Sequence, residues 1–446
     1  MQIRRWLSFF GLLSLWAVCI SCGQNYRLPI IQIPGDPGDP KLYHFAMTIS
    51  TNDPVANANV PGTVMQTDVA GDMDAGEAPV GRGPVFATLL PTGSANRIYV
   101  INGLEETVST TTAAPLSCSP GPVCPIGAVA TITLPTGSAA SYLNSTEASN
   151  MYVILQNPSR PGPTDPHTPT IGLISVFQNV LSAEIALPAG NPVAMAELPN
   201  GRKLYVVDQT NSVVYVISTA NRQVEQTLAV GPAPSMALAS PDNSAVYVMT
   251  TAGISVINAL TDQVIPGTLT TGGQPNSVTY DSKLNHLYVT DTGGRVAVFD
   301  AAVAAGSLPT TLFVAPAGSF PGVIEVAPLP DGTRFYVLAN SAGTSLELTK
   351  VDSATFAFGS PYPLNNLTGG IAPPAVPYCT GVRFRYMVGA SGDSGRVYVS
   401  SCDAGGTYIF RTSDNTGVLL QPSPSQPPVG TATPPRQNPV FLITGR

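Results

Sequence analysis

The sequence predicts an all-β fold made of repeated four-stranded units, and three observations predict it. The first is composition: 42 glycines and 44 prolines punctuate 446 residues rich in Val, Thr and Ser, and only 11% are Asp, Glu, Lys or Arg. Short strands joined by many turns have this make-up. The second is an aromatic-aliphatic strand written seven times: Ile98-Tyr99-Val100, Met151-Tyr152-Val153, Leu204-Tyr205-Val206, Val246-Tyr247-Val248, Leu287-Tyr288-Val289, Phe335-Tyr336-Val337 and Val397-Tyr398-Val399. The third is spacing. Successive tyrosines lie 53, 53, 42, 41, 48 and 62 residues apart, and the shortest intervals match four strands of about five or six residues with their turns.

In chain order, Arg4 and Arg5 precede the apolar run Trp6 to Ala17, which is too short to span a bilayer and suits a signal peptide over residues 1–21. The segment Val18-Cys19-Ile20-Ser21-Cys22-Gly23 resembles a bacterial lipobox, with a small residue just before the cysteine. That resemblance implies that Cys22 is the lipid attachment site; plain secretion is the alternative. Two or more acyl chains would hold the protein to the bilayer, because each buried methylene contributes about 0.8 kcal/mol. Gly23 after the cysteine implies, by the same resemblance, the outer membrane of a two-membrane cell, or a periplasm-facing anchor. Residues 22–43 are proline- and glycine-rich without strand or helix periodicity and read as a tether.

The repeats occupy residues 44–420. A proline lies 13 residues before the tyrosine in three copies (Pro192, Pro234, Pro275) and 15 before it in two (Pro84, Pro321). Small apolar residues follow, as in Ala194-Met195-Ala196, and suit an innermost strand crowded around an axis. Pro199-Asn200-Gly201, Pro241-Asp242-Asn243 and Pro330-Asp331-Gly332 then supply hairpin chemistry before the Tyr-Val strand. Val213 to Ile217 and Val224 to Leu228 read as third and fourth strands.

These units resemble the YVTN family of β-propeller repeats, with their G-x-x-P start, P-D-G turn and Y-V-x-N strand end, over about residues 80–412. Seven anchors imply a seven-bladed β-propeller of four-stranded antiparallel blades. Phe45 to Ser50 and Thr63 to Thr67, within residues 44–80, are expected to complete the last blade. Residues 421–446 form a Pro-rich tail with a short strand from Pro439 to Ile443. Relatives of this family include surface-layer modules, lactonases and electron-transfer subunits, so the fold names no activity.

A formal charge of −7 and a pI near 4.9 argue against nucleic acid as a partner. Four cysteines beyond the signal suggest two disulfides, Cys118 with Cys124 and Cys379 with Cys402, the second clamping the first two strands of the last blade. Zinc is disfavoured, since three histidines lack ligand neighbours at the needed spacing.

Three motifs invite chemistry. Gly392-Asp393-Ser394-Gly395 has the letters of a serine-protease nucleophile but sits where the last repeat needs a hairpin turn, so no catalytic residue is assigned. Asp68, Asp72, Asp74 and Glu77 crowd four carboxylates into ten residues; they are weak metal candidates for a structural calcium, against the reading of a solvated acidic loop. Asn102, Asp208, Asp291, Asn340 and Asp403 end Tyr-Val strands and would gather on one axial face, as a ligand ring or as ordinary turn formers. Lone His286 reads as a blade residue.

The expectation is a non-catalytic cell-envelope lipoprotein whose propeller is a binding or scaffold surface for an envelope protein or glycan. No cofactor is required. The alternative is a metal-dependent lactonase- or lyase-like hydrolase using the axial polar residues. The insertions at 103–128, 156–169 and 359–381 are expected contact loops.

Overall fold

Among the described residues, thirty-two strands form eight four-stranded antiparallel sheets. The computed structural model describes residues 45–444, apart from 53–59, 69–71, 92–95, 113–125, 128, 147–148, 158–167, 304–305, 342, 344, 375–378, 380 and 422–436. The expected signal peptide and tether, with Cys22, lie outside the described residues, as do Cys118 and Cys124.

Seven sheets are consecutive stretches of chain, each beginning with its innermost strand. Blade 1 starts at Pro84–Pro91, blade 2 at Ala139–Asn144, blade 3 at Pro192–Glu197, blade 4 at Met236–Ala239, blade 5 at Pro275–Asp281, blade 6 at Val323–Pro328 and blade 7 at Tyr386–Ala390. The repeated prolines stand at or just before these starts. A strand's first residue tolerates proline's missing N–H, which explains the placement.

The eighth blade corrects the expected count of seven. Its innermost strand is the C-terminal Gln437–Thr444, followed outward by Phe45–Asn52, Pro61–Asp68 and Met73–Arg82. The N-terminal strands therefore do not complete the blade of Tyr398; they form a separate one, closed by the tail. Phe45–Asn52 pairs antiparallel with the tail strand, Met47 opposite Ile443 and Ile49 opposite Phe441. From blade 5 through blade 8 and on to blade 4, each innermost strand touches the next, and the second strand of blade 4, Ala245–Thr250, touches the innermost strand of blade 5, so the ring is closed. Tyrosines undercount the blades for a physical reason. In the closing blade, Met47 and Ile49 fill the position facing blade 1 that tyrosine fills elsewhere, and a blade built from both chain ends leaves no contiguous repeat.

The role of the repeated tyrosine follows from its burial. Tyr99, Tyr152, Tyr205, Tyr247, Tyr288, Tyr336 and Tyr398 are all essentially inaccessible to solvent. Each sits in a second strand sandwiched between blades, where full burial of such a side chain contributes about 1.5–3 kcal/mol. Two hydroxyls also staple their blade to the next: Tyr205 donates to Asp262 at 2.6 Å and Tyr247 to the Ala301 carbonyl at 2.5 Å. Both acceptors follow the third strand of the neighbouring blade. The Tyr99 and Tyr336 hydroxyls are buried without a partner among the described residues. Ring burial is thus the constant feature, and the hydroxyl bond a local addition.

Candidate binding face at the propeller axis

Strand register places the polar residues that end the second strands at one end of the axis. Asn102 pairs with Pro84, Asp208 with Pro192 and Asp291 with Pro275, each the first residue of an innermost strand. Asn340 and Asp403 lie just beyond the equivalent pairs in blades 6 and 7. Their side chains serve their own blades. An ionised carboxylate offers about four acceptor positions, and Asp208 fills four: Oδ1 accepts the Asn191 and Asn211 N–H groups at 3.1 and 3.0 Å, while Oδ2 accepts Asn211 Nδ2 at 2.8 Å and the Tyr215 hydroxyl at 3.0 Å.

Asp291 is engaged in the same way. Its Oδ1 accepts the Gly293 and Arg295 N–H groups at 2.8 and 3.1 Å, and Oδ2 accepts Thr271 Oγ1 at 2.8 Å and Arg295 Nη1 at 3.2 Å. These bonds tie the segment entering a blade to that blade's second turn. They also explain the glycine two residues before the proline in these blades: a Cβ on Gly273 would lie 2.7 Å from Asp291 Oδ2, and one on Gly190 would lie closer still to Asp208 Oδ2. Asn102 donates from Nδ2 to Thr107 and Ser109 hydroxyls at 2.9 and 3.0 Å. Asn340 Oδ1 is buried without a partner among the described residues.

The described part of the acidic segment, Asp72 to Glu77, serves the closing blade. Asp72, 3% exposed at its side chain, receives Arg396 Nε at 2.6 Å and Arg411 Nε at 2.7 Å. Both arginines belong to blade 7, so this one carboxylate pins the closing blade to its neighbour. Asp74 Oδ1 accepts the Gly76 N–H at 2.8 Å. Glu77 lies in the outer strand Met73–Arg82, and Asp68 ends the third strand Pro61–Asp68. Among the described residues, no three His, Cys, Asp or Glu side chains gather where a metal ion could be held. Gly392 to Gly395 form the first hairpin turn of blade 7, where Ser394 has a φ of 62° and its hydroxyl accepts the Asp331 N–H from blade 6 at 2.9 Å.

The axial feature that sequence reasoning missed is built by the described residues of the insertion at 359–381 and the residues after it. Instead of projecting as a loop, Leu364 and Leu367 are buried, and Thr368 pairs with the outer strand of blade 7 through bonds to Gly417 and Leu419. The strand Tyr362–Pro363 and the short 3₁₀ turn Leu364–Asn366 lead into this strap. Cys379 then forms a disulfide with Cys402, as the spacing suggested.

The next turn is tied at both ends to one point on blade 7. Asp403, adjacent to Cys402, accepts the Cys379 N–H at 3.2 Å, the Tyr386 hydroxyl at 2.7 Å and Arg385 Nε. Burial works against the Asp403 carboxylate, but hydrogen bonds from Tyr386, Arg385 and Cys379 outweigh it and hold its pKa below the ordinary carboxylate value.

With both ends fixed, the middle of the turn reaches the axis. Arg383 Nη1 contacts the Val193 carbonyl at 3.5 Å; Val193 belongs to blade 3, directly opposite blade 7 in an eight-membered ring. The guanidinium lies 5.8 Å from the ring centre of Tyr142 and 5.0 Å from that of Phe384. Around it, Phe86 stands 4.3 Å from Tyr142, 5.9 Å from Phe384 and 4.7 Å from Phe441, and Phe384 meets Phe441 edge-on at 5.0 Å. Phe86, Tyr142 and Phe441 come from the innermost strands of blades 1, 2 and 8. Burial holds the Tyr142 hydroxyl above the ordinary tyrosine range, with Arg383 opposing. The one visible signal was the run Val382-Arg383-Phe384-Arg385-Tyr386, two arginines among aromatics in a chain poor in charge.

The fold is similar to that of the dihydro-heme d1 dehydrogenase NirN in complex with DHE, with a TM-score of 0.62 and 13% identity over 91% of this chain and 75% of that one. It is also similar to AztD from Citrobacter koseri, with a TM-score of 0.59 and 11% identity over 90% of this chain and 98% of that one. No family model matches the sequence, and no curated protein matches it. At these identities the likeness establishes a shared β-propeller fold alone.

Proposed function

We propose that the chain is a lipid-anchored cell-envelope protein that presents its eight-bladed disc as a non-catalytic binding or scaffold surface for an envelope protein or glycan. The observation that carries this reading is the engagement of the axial-face carboxylates. An axial metal enzyme needs carboxylate oxygens aimed at a common point, whereas Asp208 and Asp291 each direct four acceptor positions into their own blade. The lipobox-like Cys22 supports the anchor.

Two measurements test the reading. Mass spectrometry of the mature N-terminal peptide is expected to find an acylated Cys22, and Cys22→Ala to move the protein from the membrane to the soluble fraction; an unmodified, uncleaved N-terminus refutes the anchor. Lactone hydrolysis is assayed before and after chelation on purified protein, with bound metals quantified. Chelator-sensitive turnover would establish the hydrolase alternative instead.

A further inference from the structure

We propose that the axial mouth binds an organic carboxylate carried on an aromatic or apolar body, with Arg383 as partner of the anion and the Tyr142 hydroxyl as a second donor. The proposal rests on the binding-surface reading above and gives it a ligand class. Its first support is the state of Arg383. Arg385, Arg295, Arg396 and Arg411 each pair with an aspartate, but Arg383 has no carboxylate partner among the described residues and makes one 3.5 Å contact to a carbonyl. A guanidinium offers five N–H donors in a planar fork; when it rests on ring faces, the in-plane donors remain for another acceptor.

The second support is the surroundings. Burial lowers the Arg383 pKa, with Tyr142 opposing. Arg383 is still exposed at the mouth, so its unused donors are open to an anion arriving from solvent. Tyr142 stays protonated at neutral pH, so beside the arginine its hydroxyl can donate to an anion and adds no negative charge. No described residue bonds its hydroxyl.

The third support is shape and chemistry together. Tyr142 and Phe384 flank the guanidinium, with the buried Phe86 and Phe441 packed behind them, a surround that suits a flat apolar body better than a hydrated ion. One fork and one phenol match the two oxygens of a planar carboxylate, while a phosphate dianion would find a single cation. The turn that carries Arg383 is anchored in advance by the disulfide and by Asp403, so little ordering is needed on binding.

The test is titration calorimetry of the detergent-solubilised full chain with benzoate, its neutral counterpart benzamide, and inorganic phosphate. Saturable benzoate binding is expected, with benzamide and phosphate at least about tenfold weaker. Arg383→Gln should weaken benzoate by about 10- to 100-fold and Tyr142→Phe by about three- to tenfold, with unchanged thermal melting. Arg383→Lys, which keeps the charge but loses the fork, should fall between, and decides the matter if the glutamine variant does not fold.

Four outcomes overturn the proposal: no saturable benzoate binding, benzamide binding as tightly as benzoate, phosphate competing on equal terms, or affinity indifferent to Arg383. Any of these with Cys22 acylated and no lactone turnover rejects this site and leaves the scaffold reading standing; chelator-sensitive turnover rejects the scaffold reading itself.

Discussion

Blade 3 is one continuous stretch, from Pro192 to Ala229, whereas the closing blade joins Gln437–Thr444 to strands between Phe45 and Arg82. The two meet their neighbours with different chemistry. Blade 3 presents Tyr205, whose ring is buried and whose hydroxyl reaches Asp262 in blade 4. The closing blade has no tyrosine at that position. It relies on Met47 and Ile49 toward blade 1, and on polar fasteners toward blade 7: Asp72 between two arginines, Thr48 Oγ1 2.7 Å from Thr407 Oγ1, and Asn438 Nδ2 donating to the Cys402 carbonyl at 2.5 Å. A blade whose strands are neighbours in sequence forms from local hairpins. A blade made from both termini forms only when the ring closes, so interactions specific to that one interface must hold it.

Removing residues 437–444 should break this comparison most severely. The strand buries Val440, Phe441, Leu442 and Ile443, together about 6–12 kcal/mol at about 1.5–3 kcal/mol each, a sum comparable with the whole stability of a domain. The truncated chain is expected to lose its cooperative melt and to self-associate on size exclusion. A melt near that of the full chain would mean that seven blades close without it.

Tyr247→Ala tests the aromatic side of the comparison and should cost about 3–5 kcal/mol in denaturant unfolding. Tyr247→Phe, which loses the bond to Ala301 and keeps the ring, should cost about 1 kcal/mol. Equal losses would make the hydroxyl the principal element. Replacing both Cys379 and Cys402 by serine opens a loop of sequence separation 23, and the chain-entropy estimate for it is about 3 kcal/mol. Reductant should lower the wild-type melting temperature toward that of the variant.

Asp72→Asn sharpens the polar side. It leaves two partly exposed guanidinium groups without their carboxylate, at a cost of about 1–2 kcal/mol that high salt should shrink. A loss insensitive to salt would point to packing at the turn.

The smallest effect concerns acid. The folded pKa of Asp403 is depressed, so its contribution is fully present above the unfolded value of about 3.9 and is lost as pH falls through the folded value. Asp403→Asn should flatten that part of the stability profile below about pH 4; an unchanged profile would assign the acid sensitivity elsewhere.

Much of the blade architecture was legible in the residues. Tyr-Val strands, prolines at blade starts and Pro-Asp-Gly hairpins are local signals, governed by side-chain alternation and backbone φ. The pairing of Cys379 with Cys402 was legible because both flank one repeat. The axial site was not. Asp208 and Asn102 look alike as strand-end polar residues, and only neighbouring backbone decides whether their oxygens face a ligand or a turn. Phe86, Tyr142, Arg383 and Phe441 come together from blades 1, 2, 7 and 8, and no spacing along the chain announces that meeting.

By itself, then, the sequence determined the all-β class, the strand repeat and the turn positions, because each depends on residues a few positions apart, and its acidic composition besides. The tertiary structure alone decided the eighth blade, its closure by the C-terminal strand and the filling of the axis. Those depend on pairing Phe45–Asn52 with Gln437–Thr444 and on how many wedges complete a circle, a condition on the whole ring that no single repeat encodes.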